Sequence, residues 1–359
     1  NWNGRSIIAA CSLHTELSSS PRPADVSRRL RAAIVGAGRV GLSLGLALQH
    51  AGLEICGFFD TSSETSRTAA SVLGLQASPT LRALLAMRPT VLFLAVPDSL
   101  VITVADQVAS ALGTLPNVNA QIAVAHTSGA TPVSALDSCL HAGATTFGFH
   151  PLQTFAGYET GFTRFKDATI AVTPGPRGGW ELGCELALAL GAQPVRLAAE
   201  ARTLYHAAAC VASNYLVTLE YIAEKMFLRA GLPAKSALAA FLPLVRGAVD
   251  NLAAHGTIAA LTGPLSRGDT RTIEQHLTAL SEQMPEIDHL YRVLGLATLE
   301  IVQQMDRVPR HTLETLEAVL RNAGGPQDGY ETTSPADSSP SSRLIKSSLH
   351  PPDTGEPHE

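Results

Sequence analysis

A glycine-rich turn that fits the pattern G-x-G-x-x-G constrains the fold of this chain more than any other feature: Gly36, Ala37, Gly38, Arg39, Val40 and Gly41. It follows a short apolar run, Ala32 to Val35, typical of a buried parallel strand, and it precedes a helix-period apolar segment that ends near Leu48. In such a strand–turn–helix unit, the first glycine makes the tight turn and the second lets a pyrophosphate approach the backbone. The third lets the helix pack closely on the strand. The turn therefore predicts a dinucleotide-binding loop, with the phosphates at the helix N-terminus.

An acidic residue follows at the distance that this interpretation requires. A second predicted strand, Glu54 to Phe59, ends at Asp60, which lies about 20 residues beyond the last glycine, where a ribose-binding carboxylate is expected. Thr61 and Ser62 complete this second part of the predicted cofactor site. The alternative is a glycine-rich turn in an α/β domain that binds no ligand.

Composition limits the class of protein. A chain of 359 residues is long enough for two domains, and its hydrophobic share of 45% supports a sizeable core. The net charge of −5 and the lack of a basic block give no indication of nucleic acid or a membrane as partner. The five cysteines are scattered and form no C-x-x-C pair, which argues against a disulfide framework and a structural zinc site and for a reducing compartment. No apolar run approaches the roughly 18 residues of a membrane span, so we expect a cytoplasmic protein.

The order of patterns along the chain predicts four segments. Residues 1–29 form an N-terminal extension, and residues 30–198 alternate strands with helices, which predicts an α/β domain with a mostly parallel, doubly wound sheet. Residues 199–323 contain helical patterns alone, beginning with one long helix from Leu204 to Arg229, and predict an all-α domain. Residues 324–359 are rich in Ser and Pro and predict a disordered tail.

Three predicted strands of the first domain end in residues suited to a ligand site, because ligands of open α/β sheets bind beyond the carboxyl ends of the strands. These residues are Val96 and Pro97, then His126, Thr127, Ser128 and Gly129, and finally His150 and Pro151. The first pair suits a chain segment beneath the cofactor, or a plain proline stop. The second group offers an imidazole and two hydroxyls, although Ser128 and Gly129 also suit a helix cap. A lone histidine is often structural, whereas two at neighbouring strand ends favour one catalytic cleft.

The second domain adds two further candidates. His206, Cys210 and Asn214 are spaced i, i+4 and i+8, which places them on one face of a helix as a cleft wall or as an interhelical hydrogen-bond set. Arg267 lies in a tight loop and is suited to clamping a substrate carboxylate. Alternatively, Arg267 and Asp269 pair with each other or cap helices.

The joint set of motifs resembles one bacterial family that combines a Rossmann-like N-terminal domain with a helical C-terminal domain of unknown function. The motifs are Gly36 to Gly41, His126 to Gly129, His150 to Phe155, Tyr205 to Ala209 with Asn214, and Ala260 to Asp269. The resemblance extends from about Ala32 to Arg321. It places the chain near the two-domain dehydrogenases similar to 6-phosphogluconate dehydrogenase, ketopantoate reductase, pyrroline-carboxylate reductase and prephenate dehydrogenase. It implies a nicotinamide cofactor and a homodimer formed through the helical domain.

The same resemblance implies residue roles. His150-Pro151 is similar to the His-Pro with which prephenate dehydrogenases bind the substrate hydroxyl, and Ser128 resembles their substrate-binding serine. Ketopantoate reductases carry Lys, Asn and Asn at the positions of His206, Cys210 and Asn214, so only the last is retained. Many relatives have an arginine for the 2′-phosphate of NADP where this chain has Asp60, which favours NAD, with Arg67 as a partial compensation.

The sequence thus predicts an NAD(P)-dependent dehydrogenase or reductase that transfers a hydride between nicotinamide and a small polar substrate, such as a 2-keto or 2-hydroxy acid. His150 or His206 would exchange the proton, Ser128 and Asn214 would orient the substrate, and His126, Thr127, Cys210 and Arg267 would bind it. The alternatives are a dinucleotide-binding sensor without turnover and an enzyme similar to ketopantoate reductase.

Overall fold

A computed structural model describes residues 30–115 and 122–322, so the predicted extension (1–29) and the whole predicted tail (324–359) lie outside the described residues. The chain divides into two compact units, Asn1–Lys225 and Met226–Glu359. The division falls within a helix, whereas the sequence suggested a domain boundary at residues 198 and 199.

The first unit is built on one seven-stranded sheet. Its strands are β1 (Arg31–Val35), β2 (Glu54–Phe59), β3 (Val91–Leu94), β4 (Ala123–His126), β5 (Thr145–Pro151), β6 (Thr169–Pro174) and β7 (Gln193–Arg196). The strand order is β2-β1-β3-β4-β5-β6-β7. All neighbouring pairs are parallel except β5 and β6, which run antiparallel. The prediction of a mostly parallel sheet is therefore confirmed.

Helices cover both faces of this sheet and bury the side chains of its central strands on both sides. Phe93 of β3 belongs to the core on one face and packs with Phe149 at 5.4 Å between ring centroids, whereas its neighbour Leu92 belongs to the core on the other face. The helices of this unit are α1 (Arg39–His50), α2 (Ser63–Leu73), α3 (Leu81–Ala86), α4 (Val101–Gly113), α5 (Asp137–His141), α6 (Tyr158–Gly161), α7 (Trp180–Ala189), α8 (Arg202–Ala212) and α9 (Asn214–Arg229), the last of which crosses the division between the units. Leu44 and Leu48 of α1 belong to the core on the first face of the sheet, and Val108 of α4 belongs to the core on the second.

The prediction of one long helix from Leu204 to Arg229 is wrong. Helix α8 ends at Ala212 and α9 begins at Asn214, because Ser213 leaves the helical region with φ −121° and ψ −65°. No proline or glycine occurs between Leu204 and Arg229, so the usual helix-breaking residues do not mark this break.

The second unit is helical in the part that the structure describes. Its helices are α10 (Ala237–Ala259), α11 (Thr270–Gln283), α12 (Pro285–Met305) and α13 (Arg310–Arg321). A core of Ile273, Leu277, Leu299, Leu316 and Leu320 joins the last three. The predicted all-α C-terminal region is confirmed, since β7 is the last strand along the described residues.

Helix α10 differs from the sequence-based expectation that no segment has the length and apolarity of a membrane span. It is 23 residues long with a mean hydropathy of 1.3, and only 11% of its most apolar window is buried within the chain. The core helix of a soluble protein passes the same criterion of length and composition. Arg246 and Asp250 interrupt its apolar sequence, and Gly256 departs from helical geometry with φ 74° and ψ 174°.

Candidate functional site

The glycine turn after β1 has a different physical constraint at each glycine. Gly36 has φ +88°, and a Cβ atom there would lie 2.5 Å from the carbonyl oxygen of Ala95. A Cβ atom on Gly41 would overlap the carbonyl oxygen of Gly36, so this residue sets the close packing of α1 on the turn. A Cβ atom on Gly38 would meet no atom within 4 Å. Gly38 therefore faces open space, as a residue that admits a ligand to the backbone must.

The N-terminus of α1 is suited to an anion. Its N-cap residue, Gly38, makes no side-chain capping hydrogen bond, and the first turn of the helix contains no acidic residue. The free N–H groups of that turn and the helix dipole both favour negative charge. The turn and helix thus fit the pyrophosphate of a dinucleotide.

Asp60 is fixed by the backbone on both sides. Its Oδ2 accepts a hydrogen bond of 2.8 Å from the N–H of Ala37, and its Oδ1 accepts one of 2.8 Å from the N–H of Ser62. The Ser62 hydroxyl in turn caps α2 by accepting from the N–H of Thr65. The carboxylate is therefore oriented by the glycine turn itself, a role that the sequence did not predict.

A cavity of about 320 Å³ lies beside this carboxylate. It brings together residues of three strand ends that the sequence assigned to the cofactor: Gly36, Gly38, Asp60, Thr61, Val96 and Pro97. Leu81, Leu100 and Val104 add an apolar wall. A cavity with one carboxylate and apolar sides is suited to an adenosine moiety.

A second cavity, of about 440 Å³, lies in the same unit and is called here the histidine cavity. It is lined by residues of three segments: His150, Leu152, Gln153, Thr154, Tyr205, His206, Ala208, Ala209, Cys210, Ala212, Ser213 and Asn214. The predicted helix stripe of His206, Cys210 and Asn214 thus faces one cavity together with His150, although a helix break separates Asn214 from the other two. No acidic side chain contributes to this lining.

Gly129 lies at the point where the two histidines meet. A Cβ atom on Gly129 would lie 2.5 Å from Nδ1 of His206 and 2.7 Å from Nε2 of His150. The two imidazole rings are 6.1 Å apart between centroids and stand at 75° to each other. Only a residue without a side chain leaves room for both imidazoles at this turn.

Each histidine of this pair has one further polar neighbour. Nδ1 of His150 lies 3.3 Å from the hydroxyl of Tyr205, and Nε2 of His206 lies 3.7 Å from Sγ of Cys210. Nδ1 of His206 is buried without a hydrogen-bond partner among the described residues. Nε2 of His150 is therefore the nitrogen of that ring without a protein hydrogen bond among the described residues, whereas Nδ1 of His206 is buried beside Gly129.

Burial and charge keep His150 in its neutral form. Desolvation lowers its pKa to about 4, and the nearby positive charges of Arg202 and of His206, when protonated, act in the same direction. The carboxylate of Asp98 opposes this shift in part. At neutral pH the imidazole is uncharged, with one nitrogen as donor and the other as acceptor. Burial likewise raises the pKa of Tyr205 to about 12, so its hydroxyl stays protonated.

His126, the last residue of β4, is fully buried and does not line the histidine cavity. Desolvation lowers its pKa to about 3, with a smaller contribution from Arg202. The backbone near Ser128 and Pro132 offsets part of this shift, although neither ring nitrogen has a partner of hydrogen-bond geometry in the described chain. The structure thus places His126 behind the cavity.

Ser128 and Thr127 are also buried, and neither lines the cavity. The Ser128 hydroxyl accepts from the N–H of Thr131 at 2.9 Å and donates to the Thr131 hydroxyl at 2.8 Å. This local turn holds Gly129 in place, and Ser128 does not cap a helix, because the next helical turn has Pro132 as its N-cap residue and no side-chain capping hydrogen bond.

Arg202 is the principal site residue that sequence reasoning missed. It is only 1% exposed, and its guanidinium donates to the carbonyl oxygen of Ser128 and, at 2.8 Å, to the hydroxyl of Thr173. Tyr205, the partner of His150, was also missed as a functional residue. The only signal was their position in the first turn of the helix that carries His206.

Arg267 lies in the second unit, in a short helical turn from Leu265 to Arg267, and is exposed. Asp269 is the N-cap of α11, because its carboxylate accepts from the N–H and the hydroxyl of Thr272 at 3.1 and 2.6 Å. The capping alternative for Asp269 is therefore what the structure contains. Arg267 forms none of the ion pairs found between described residues.

The fold and these two cavities define a protein with a Rossmann-like domain and a helical C-terminal region. Residues 17–151 match the family model of a Rossmann-like domain, and residues 168–298 match that of a domain of unknown function, DUF2520. The chain thus combines a Rossmann-like domain with a DUF2520 domain, which confirms the family expected from its motifs. The DUF2520 match includes β6 and β7, so it begins within the sheet.

Solved structures share this fold at low sequence identity. A presumed NADP oxidoreductase from Bacteroides fragilis is 20% identical with a TM-score of 0.61, covering 75% of this chain and 97% of its own. A protein from Thermotoga maritima is 22% identical with a TM-score of 0.58, covering 77% and 100%. A reductive aminase from Aspergillus terreus in complex with NADPH is 15% identical with a TM-score of 0.51, covering 81% and 92%. At these identities the similarity concerns the fold. The sequence matches no curated protein.

Proposed function

We propose that this protein is a nicotinamide-dinucleotide-dependent oxidoreductase that transfers a hydride to or from a carbon atom of a small polar substrate, of the 2-keto or 2-hydroxy acid class. One observation carries the proposal. A glycine turn that fits a dinucleotide and a cavity lined by two facing histidines both lie beyond strand ends of the same sheet, within one unit. A sensor without turnover needs the first feature but not the second.

The residues present fit the cofactor. Gly36, Gly38 and the uncapped start of α1 would hold the pyrophosphate, and Asp60 would accept hydrogen bonds from the adenosine ribose. A bound nicotinamide would supply the hydride acceptor or donor. We propose a preference for NAD, because a fixed carboxylate at Asp60 repels a 2′-phosphate. The B. fragilis and A. terreus proteins are named with NADP or NADPH, so this preference requires its own measurement.

His150 is the proposed proton-exchanging residue. When Nδ1–H donates to Tyr205, Nε2 carries a lone pair that can accept the proton of a substrate hydroxyl. When Tyr205 donates to Nδ1 instead, Nε2–H can donate a hydrogen bond to a substrate carbonyl oxygen, and as that proton passes to the oxygen the hydroxyl of Tyr205 can transfer its own proton to Nδ1. The pair thus suits both directions of hydride transfer. His206 is the second candidate, because its Nδ1 faces the same glycine.

Asn214 and Cys210 are proposed to contact the substrate, since both line the histidine cavity. Ser128 is proposed to act through the turn that carries Gly129, because its hydroxyl is bonded to Thr131. His126 and Thr127 are proposed to support the cavity from behind. Arg267, a residue of the second unit, stays a proposed ligand of a substrate carboxylate.

The assembly is proposed to be a cytoplasmic homodimer formed through the helical region. Large apolar side chains are exposed on α8 to α10, including Leu204 (76%), Val217 (70%) and Leu244 (71%). An exposed apolar surface of this kind is typical of an interface between protein chains. Light scattering of the purified protein measures the oligomeric state, and a Leu244→Glu variant is expected to shift it toward the monomer.

The decisive experiment is titration with NADH and NADPH, followed by assays with small keto acids and imines. We expect tight binding of a dinucleotide and its oxidation by at least one substrate, with activity lost in His150→Ala. Asp60→Asn is expected to move the ratio of the two dissociation constants toward NADPH. Tight binding without oxidation across the panel would support the sensor instead. Full activity in both His150→Ala and His206→Ala would exclude the assigned proton exchange.

A further inference from the structure

Arg202 occupies a space that the sheet leaves open for it. His126, Gly148 and Thr173 are paired across β4, β5 and β6, so their side chains point to the same face of the sheet. A Cβ atom on Gly148 would lie 2.7 Å from Nη1 of Arg202. The guanidinium therefore lies over Gly148, the middle residue of this row. Thr173 on one side is its hydrogen-bond partner, and His126 lies on the other side.

The guanidinium is held by two hydrogen bonds but by no counter-charge. Nη1 donates to the Thr173 hydroxyl and Nη2 to the carbonyl oxygen of Ser128, while Nε is buried without a partner among the described residues. Arg202 forms no ion pair in the described chain, and no acidic residue lines the histidine cavity. Asp98, which is exposed, is the carboxylate that favours its charged form. A buried charge without a paired carboxylate is unusual because its desolvation is costly.

We propose that Arg202 is the positioning residue of the histidine cavity. Its two hydrogen bonds tie the turn that contains Gly129 to strand β6. Its permanent positive charge lies behind the imidazoles of His126 and His150. No sequence motif marks Arg202 for this role. The proposal rests on the proposed function only for its kinetic consequences, since the geometry and charge of Arg202 are properties of the free protein.

Two consequences follow from this placement. The groups that face His150 are Arg202, Tyr205 and His206 of α8, His126 of β4 and Asp98 after β3. Desolvation is the largest cause of the low pKa of His150, and the charge of Arg202 is the next. Arg202 thus adds to the effect of desolvation in keeping the imidazole neutral, and its field favours an anionic group of the substrate, such as a carboxylate, in a cavity whose lining has no acid.

The test is a pH titration of the histidine ring signals by NMR in the full chain, with His150→Gln used to assign the His150 signals. Arg202→Met removes the charge at similar volume, Arg202→Lys keeps the charge but loses the two-pronged hydrogen bonding, and Arg310→Met controls for the change in net charge at an exposed site. We expect the pKa of His150 to rise by at least about half a unit in Arg202→Met and to stay low in Arg202→Lys and Arg310→Met. An unchanged pKa in a folded Arg202→Met would overturn the proposal. If that variant does not fold, a pKa near 6.5 in Arg202→Lys would overturn it, and a low one would support it.

The kinetic measurement separates positioning from electrostatics. With a carboxylate substrate, Arg202→Met is expected to raise KM at least about tenfold and to move the acidic limb of the pH profile to higher pH, whereas KM for an uncharged analogue changes little. Arg202→Lys is expected to keep the pH profile and to lower kcat. An equal loss for both substrates without a shift of the pH profile would indicate a merely structural role. A protein that lacks turnover altogether fails the proposed function, and the NMR titration still decides the role of Arg202.

Discussion

The hydroxyl of Tyr205 lies 3.3 Å from Nδ1 of His150, and the two rings stand at 87° to each other. This contact joins the first helix after the sheet to a strand end, and it leaves Nε2 as the imidazole nitrogen that faces Gly129. The tautomer of His150 is thereby coupled to the direction in which the Tyr205 hydroxyl points.

Replacing Tyr205 by phenylalanine removes that hydroxyl and keeps the ring. Because a hydrogen bond of this kind contributes about 1 kcal/mol, we expect kcat to fall roughly five- to tenfold, with dinucleotide binding unchanged. Steady-state kinetics and a binding titration measure the two effects. Tyr215→Phe, at an exposed tyrosine outside the cavity, is the matched control. Equal kcat values for the two variants would contradict a role for the contact.

Gly129→Ala adds a Cβ atom that neither His150 nor His206 can accommodate without moving. We expect a loss of activity of about a hundredfold, because displacement of catalytic groups by about 1 Å is sufficient for such a loss. Binding of the dinucleotide is expected to persist. Gly113→Ala provides a control, since a Cβ atom there meets nothing within 4 Å. An active Gly129→Ala variant would show that the two imidazoles do not have to converge.

Gly38→Ala is expected to weaken dinucleotide binding, whereas Gly41→Ala is expected to lower the stability of the fold. The first meets no protein atom, so its melting temperature stays near that of the wild type while its dinucleotide affinity falls at least about tenfold. The second overlaps the carbonyl oxygen of Gly36 and lowers the melting temperature itself. Thermal denaturation with and without cofactor distinguishes them. Normal cofactor affinity in Gly38→Ala would argue against phosphate binding at this turn.

Stability is expected to fall as the pH is lowered below about 6.5, the ordinary pKa of histidine in an unfolded chain. His126 and His150 have pKa values of about 3 and 4 when folded, so the unfolded state binds more protons in this range. Above about pH 6.5 neither group lowers the stability, whereas between pH 7 and pH 5 protonation of each in the unfolded chain alone lowers the free energy of unfolding by about 2 kcal/mol.

His126→Leu removes one of these two groups. Denaturant unfolding at pH 7 and pH 5 should show a smaller loss of stability in this variant than in the wild type. His289→Leu, at an exposed position of α12, is the matched control and should follow the wild type. Parallel losses in wild type and His126→Leu would contradict the burial of a neutral His126.

Local sequence was sufficient for the parts of the fold that depend on short-range patterns. The strand bounds near Val35 and Phe59 and the start of α12 at Pro285 follow from apolar runs and from proline. The break at Ser213 could not be predicted, because no residue with special backbone preferences marks it. The residues that line the cofactor cavity follow the carboxyl ends of strands, where ligands of open α/β sheets are expected to bind. The hydrogen bond from Ala37 to Asp60 joins segments 23 residues apart and has no local signature.

The sequence by itself determined that a glycine turn, a following acid and two strand-end histidines lie at one edge of a sheet, since periodicity and parallel topology are encoded locally. Only the tertiary structure decided which of these groups meet. It turned His150 and His206 toward Gly129, moved His126 behind the cavity and placed the guanidinium of Arg202 over Gly148. The physical reason is that burial, desolvation and the absence of a Cβ atom at Gly129 and Gly148 act through space, between residues that no spacing rule connects.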